Sequence, residues 1–317
     1  MSGRSMGKPP GPDQPDDACL ERPPMTTRES NPEPNNPLGI DGIEFIEYAT
    51  SQPQAFGSVL QSMGFVPVAR HRSREIMLYR QGSMNLIVNS HPDVLPRMAA
   101  PTETPELKAI ALRVRDAAFA WRRSQDLGAW EMPTRASAME LNIPGIHGVG
   151  DTLIYFVDRY KDFSIYDVDF VPLPGAEARP AAVAGLHYFG VVQTILSDRT
   201  PDWVEFYQQL FGFTVLPEGK FFGILPKGTL LESPCHKFYL QLTEPPPGSE
   251  DIQWEEELLR VGLGAPDVRA AVRILKERGV VFIDHGAVQP TEKGALTQVY
   301  LGGVTFELVV SHLRPGG

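Results

Sequence analysis

The 317-residue sequence has only two cysteines, Cys19 and Cys235, and no CxxC pair. Neither a disulfide framework nor a thiolate zinc site is expected, and the cysteine usage fits a reducing cytoplasm. No apolar run approaches the roughly 20 residues that a membrane-spanning helix needs, so no membrane is expected. A basic excess is also missing. The net charge is −10, which repels phosphate backbones and makes nucleic acid a poor expectation. GxGxxG, Walker, GxSxG, HExxH and paired-histidine patterns are all absent. What is there is an ordinary globular composition, 42% hydrophobic and 21% charged.

Residues 1–38 hold nine prolines, no aromatic residue and only seven hydrophobics. So little apolar surface cannot offset the entropy of ordering, and a disordered tail is expected there. No apolar signal-peptide core follows its early Arg4 and Lys8.

From Gly39 onward, four helix-like segments each end at a glycine: 52–63 before Gly64, 116–127 before Gly128, 200–211 before Gly212 and 267–278 before Gly279. In the third, Thr200 reads as the N-cap and Pro201 as the first helical residue. Trp203, Phe206, Tyr207, Leu210 and Phe211 form its apolar stripe. Strand-like runs flank every helix. The spacing reads as a duplicated unit, four βαβββ modules paired into two domains, 39–175 and 176–317, joined through the Pro/Ala/Gly-rich stretch 172–185. The fold class is α+β.

Strand alternation then picks out polar positions. Arg260 and Gly262 lie opposite Leu259, Val261 and Leu263. Glu307 lies opposite Phe306, Leu308 and Val310, and Tyr239 and Gln241 oppose Phe238, Leu240 and Leu242. His187, Phe189, Val191 and Gln193 share a face. If helices cover one face of the sheet, Gln193, Tyr239, Gln241, Arg260 and Glu307 gather on the other, within 176–317. Buried charge is costly unless paired. Either Arg260 and Glu307 form a structural ion pair, or they line a pocket with Arg260 as carboxylate clamp and Glu307 as base or metal ligand. For the first domain, alternation yields no comparable set, with Phe45, Ala109 and Ile154 at the equivalent places.

Several runs resemble 4-hydroxyphenylpyruvate dioxygenases. They are Asn36-Pro37-Leu38-Gly39 with Gly42-Ile43-Glu44-Phe45, His71-Arg72-Ser73, Leu78-Tyr79-Arg80-Gln81-Gly82, Glu140-Leu141-Asn142-Ile143-Pro144, Ser164-Ile165-Tyr166-Asp167 and Thr305-Phe306-Glu307. The resemblance spans about residues 36–311. It implies the vicinal oxygen chelate fold, a dioxygenase-type oxidoreductase, a small aromatic or 2-oxo acid as ligand, and Fe(II) held by two histidines and a glutamate. Carried over by position, Glu307 is the retained glutamate, while Val191 and Arg260 stand at the two histidine positions. Gln298 matches a glutamine that faces the substrate. Valine offers no lone pair and a guanidinium repels Fe(II). The lone carboxylate with Gln193 and Gln241 would suit another divalent cation, or none. A metal-free relative is the alternative: Arg260 would bind a carboxylate ligand, in a binding protein or in a lyase or isomerase with Glu307 as base. A homo-oligomer is compatible with either.

Overall fold

Each of the four expected helices forms, and each follows the first strand of one module. A computed structural model describes residues 1, 3, 35–91, 104–132, 141–150, 152–161, 163–223, 228–246, 248 and 254–313. The account below concerns the unit Pro32–Gly317. The first module comprises β1 (Ile43–Ala49), α1 (Pro53–Ser62), β2 (Val66–His71), β3 (Ile76–Gln81) and β4 (Met84–Asn89). The second comprises β5 (Glu106–Arg113), α2 (Ala117–Asp126), β6 (Gly145–His147) and β7 (Leu153–Val157), followed by α3 (Ile165–Asp169) and β8 (Phe170–Pro172). In the third come β9 (His187–Thr194), α4 (Thr200–Phe211), β10 (Thr214–Val215), β11 (Thr229–Glu232) and β12 (Tyr239–Thr243). The fourth holds β13 (Glu257–Ala265), α5 (Val268–Glu277), β14 (Gly294–Leu296) and β15 (Phe306–Val310). In the second and fourth modules the strand after the helix shrinks to a single bridge, Glu131 to Ile146 and Phe282 to Thr297.

In all four modules the first and last strands pair in parallel: β1 with β4, β5 with β7, β9 with β12 and β13 with β15. The leading strands pair antiparallel, β1 with β5 and β9 with β13. This repeated rule makes two similar half-sheets, which meet edge to edge at one ladder position, Leu258 opposite Leu107. The result is one open sheet, not a barrel.

Local chemistry explains the helices. Asp116 and Asp267 sit at the N-caps of α2 and α5 and accept the backbone N–H of Phe119 and Ala270. In α4 the cap is Arg199, not Thr200. Thr200 is drawn inside the first turn because Glu244 takes both its hydroxyl and its N–H. Gly212 ends α4 in the left-handed region, where a Cβ would stand 2.8 Å from the Asn35 carbonyl. Tyr207, Leu210 and Phe211 bury the stripe that the sequence predicts. Each such side chain contributes about 1.5–3 kcal/mol relative to exposure.

Helices and one sheet face share the main core, which runs through both halves. The opposite face differs between halves. In the first half it is filled by a cluster that includes Phe45, Leu78, Ile87, Ala111, Ile165, Tyr166 and Phe170. In the second half the corresponding cluster has, among the described residues, Phe189, Tyr239 and Val309 buried.

Of the expected tail, residues 4–34 lie outside the described residues, as does Cys19. Asn36–Leu38 do not belong to a tail. Leu38 is buried in the core, and the Asn36 amide brackets the Ile40 backbone with two hydrogen bonds. The stretch 172–185 is tied to β3: Arg80 donates to the Ala178 carbonyl and Gln81 Oε1 accepts from the Val183 N–H. No helix among the described residues is long and apolar enough to cross a membrane.

Candidate functional site

Two rows of residues across the second half-sheet build the site. Tyr239, Gly190, Gly262 and Glu307 lie in one row, on β12, β9, β13 and β15 in that order. Gln241, Val192 and Arg260 lie in the next row. Alternation puts both rows on the face away from the helices. There Arg260 Nε stands 3.4 Å from Glu307 Oε2, with side chains 14% and 5% exposed. The two groups read from the sequence as partners therefore do meet on the inner face.

Their contact is a buried ion pair in which the Nε–H is aimed away from the carboxylate oxygen. Arg260 Nε is buried and has no hydrogen-bond acceptor among the described residues. Burial lowers the guanidinium pKa from its ordinary value, opposed by the charge of Glu307. Beside the pair is a cavity of about 30 Å³, bounded by Phe189, Val192, Phe222, Tyr239, Gln241 and Glu307. Arg260 does not line it directly and reaches it through Glu307. The Tyr239 hydroxyl donates to Glu232 Oε1 at 3.2 Å and lies 2.9 Å from His312 Nε2. Burial raises the Tyr239 pKa, and the Glu232 carboxylate adds to the rise.

Three expected site residues stand elsewhere. Gln193 faces the helix layer, where its amide exchanges two hydrogen bonds with the Tyr207 hydroxyl on α4. Val191 packs in the main core, 2% exposed, and only borders the cavity. A β-bulge at Phe189 causes both changes: Gly262 pairs with Gly190 but Leu263 pairs with Tyr188. The extra residue turns Phe189 toward the cavity and leaves Val192, not Val191, between Gln241 and Arg260. Gln298 is exposed, its N–H bonded to the Val281 carbonyl, and it does not line the cavity. A second bulge, at Leu259, puts Leu258 rather than Leu259 in the core.

Residues that alternation did not select also shape the site. Phe222 lies over the cavity with Phe189, Tyr239 and His312 around it. The signal was the aromatic pair Phe221-Phe222 in a turn-rich stretch, where side-chain direction has no periodicity to reveal it. The first half carries a polar set that alternation overlooked. Glu44 is 2% exposed, receives Arg113 Nε at 2.6 Å, and accepts from Asn85 Nδ2 at 3.3 Å. Burial raises the Glu44 pKa and the Arg113 charge opposes that rise.

Fe(II) does not fit the residues present. No group of three His, Cys, Asp or Glu side chains among the described residues could hold a metal. Around Glu307 stand a permanent cation, a valine, an amide and glycines. His187, on the same strand as Val192, is committed to the Ser311 hydroxyl at 2.7 Å and the Gly185 carbonyl at 3.0 Å. The donor chemistry is that of a cation already provided by the protein.

The chain is 34% identical to Hemolysin VllY of Vibrio vulnificus over 266 residues, covering 78% of this chain and 73% of that protein. It is 31% identical to a 4-hydroxyphenylpyruvate dioxygenase of Pseudomonas aeruginosa over 267 residues, covering 79% and 73%. The chain belongs to the 4-hydroxyphenylpyruvate dioxygenase family. A family model described as "Hydroxyphenylpyruvate dioxygenase, HPPD, N-terminal" matches residues 34–171. Among solved structures, a xylose isomerase-like TIM barrel/4-hydroxyphenylpyruvate dioxygenase fusion protein superposes with a TM-score of 0.68 at 22% identity. That match covers 88% of this chain and 50% of the other. The fold is thus the vicinal oxygen chelate type expected. Family names range from a dioxygenase to a hemolysin, so membership sets the ancestry and leaves substrate to the site.

Proposed function

We propose that this dioxygenase-family protein binds a small aromatic or 2-oxo acid in the hollow of residues 176–317, without a metal. Arg260 supplies the positive charge, and residues 39–175 serve as scaffold. One observation carries this reading: Arg260 Nε is buried beside Glu307 at 3.4 Å with no hydrogen-bond acceptor among the described residues. A guanidinium offers five N–H donors in a planar fork, so a ligand carboxylate can be held while Glu307 stays close. A 2-oxo acid so held would bring its acidic carbon toward the Glu307 carboxylate, which is the geometry of a general base in a lyase or isomerase.

A second reading, iron-dependent dioxygenation, is favoured by family membership and by the retained Glu307. Two measurements separate the readings. The first is metal content of the purified protein, then anaerobic Fe(II) titration with 4-hydroxyphenylpyruvate. The second is thermal stabilisation by phenylpyruvate in wild type and Arg260→Ala. Sub-stoichiometric iron, no O₂ uptake, and stabilisation lost in Arg260→Ala support the metal-free site. Stoichiometric iron with substrate-dependent O₂ uptake overturns it.

A further inference from the structure

We propose that Phe222 is a resident plug, its ring standing where the ring of an aryl ligand would lie, and that its displacement sets the size of ligand the hollow accepts. This rests on the carboxylate-binding reading above and goes beyond it, because that reading says nothing about what governs entry.

The first observation is volume. At about 30 Å³ the cavity has room for about two or three waters, each needing about 10–15 Å³. The second is what fills the remaining space. The Phe222 ring lies 4.7 Å from Tyr239, 5.1 Å from Phe189 and 5.4 Å from His312, the last nearly parallel. These are aromatic contacts that a ligand ring would make in its place. Lys220 Nζ stands 5.9 Å from the same ring, and Phe222 is only partly buried. It is packed at the edge of the hollow rather than locked in the main core.

The third observation concerns the next residue. Gly223 has φ +71°, and a Cβ there would stand 2.3 Å from Glu307 Oε1. The backbone after the ring therefore rests on the carboxylate. One dipeptide covers both ends of the site, the ring on the aromatic wall and the glycine on the acid. The fourth is the comparison within the chain. The first half fills its own inner face with residues of its strands and of α3, such as Phe45, Tyr166 and Phe170. Among the described residues the second half has three buried hydrophobics there, and Leu216, Phe222 and Leu313 pack on them from outside the strands. A hollow completed by a loop residue can be emptied; one completed by strands cannot.

With Phe222 seated most of the time, apparent ligand affinity falls by the fraction of molecules in which it is out. Replacing Phe222 by Ala removes that factor and leaves a ring-shaped space. The experiment is calorimetric titration of wild type, Phe222→Ala and Phe222→Leu with phenylpyruvate and with pyruvate, alongside Arg260→Ala. The expected result is phenylpyruvate binding about tenfold tighter or better in Phe222→Ala, an intermediate gain in Phe222→Leu, and a smaller gain for pyruvate. Wild-type protein carrying 4-fluorophenylalanine at position 222 gives a second readout that needs no truncation. Phenylpyruvate should shift its ¹⁹F resonance toward the solvent-exposed value. Equal phenylpyruvate affinity in wild type and Phe222→Ala, still abolished by Arg260→Ala, overturns the plug and leaves the carboxylate site standing. An unmoved ¹⁹F signal at saturation does the same. No binding of either acid by any variant overturns the carboxylate site and the plug with it.

Discussion

Glu44 and Arg113 form the shorter counterpart of the Arg260–Glu307 pair in the other half. Arg113 Nε meets Glu44 Oε2 at 2.6 Å, Asn85 adds an N–H to the same carboxylate, and the Arg113 guanidinium lies over the Tyr160 ring. In the second half Arg260 and Glu307 approach only to 3.4 Å, and the Nε hydrogen bond is missing. Two half-sheets built by one rule thus hold two buried ion pairs, a short one at 2.6 Å and a longer one at 3.4 Å.

The contrast predicts unequal costs. Arg113→Met leaves a buried carboxylate without its cation and should cost about 3–5 kcal/mol. Arg260→Met also leaves a buried carboxylate, Glu307, without its cation, but it removes a longer contact and should cost about 1 kcal/mol less. Urea unfolding of both variants measures the difference. Equal losses would mean that the Arg260 pair is as structural as the other, which argues against a ligand role.

The fold was largely legible in the sequence, and the site only in part. All four helices stop just before the glycines that marked them, and strands flank each one. Arg260 and Glu307 could be paired because each interrupts an otherwise apolar strand. Gln193 and Val191 could not be placed, because one inserted residue at Phe189 reverses every later side chain of β9. Nothing in a single strand's sequence marks such a bulge, since it depends on the partner's register. Glu44 and Glu47 stayed hidden for a related reason. β1 is buried on both faces, so its carboxylates do not fall into a polar row.

Gly223→Ala should damage the site with little harm to the fold. The new methyl would collide with Glu307 Oε1, and φ +71° is unfavourable for alanine. The backbone conformation alone costs about 1 kcal/mol. The expected outcome is a near-native melting temperature with phenylpyruvate stabilisation reduced or lost. Thermal melts with and without the acid check this, and unchanged ligand response would show that the loop is not seated on the carboxylate.

Asp116→Ala and Asp267→Ala should each destabilise by about 1 kcal/mol, because each removes the side-chain acceptor for an N–H in the first turn of its helix. The caps lie on different helices, so the double variant should lose the sum. Denaturant midpoints of the single and double variants test this.

Glu47 makes stability depend on pH in a direction opposite to that of most carboxylates. It is buried, and burial raises its pKa, opposed by the Asn89 amide hydrogen bond at 2.8 Å and by the charge of Arg74. A raised value means that the folded chain holds the proton more tightly than the unfolded one. Stability is then greatest below the ordinary glutamate pKa and is lost as pH rises through the folded value. Glu47→Gln keeps the acceptor for Asn89 and removes the charge. The variant should match wild type near about pH 4 and exceed it near about pH 8, with the gain appearing between the two glutamate values. Taking the difference between variant and wild type removes the opposing contribution of His187, whose pKa burial lowers. Urea titrations across that range decide the matter. A gain that is constant with pH would mean that Glu47 stays ionised in the fold, held by Arg74 and Asn89 against the cost of burial.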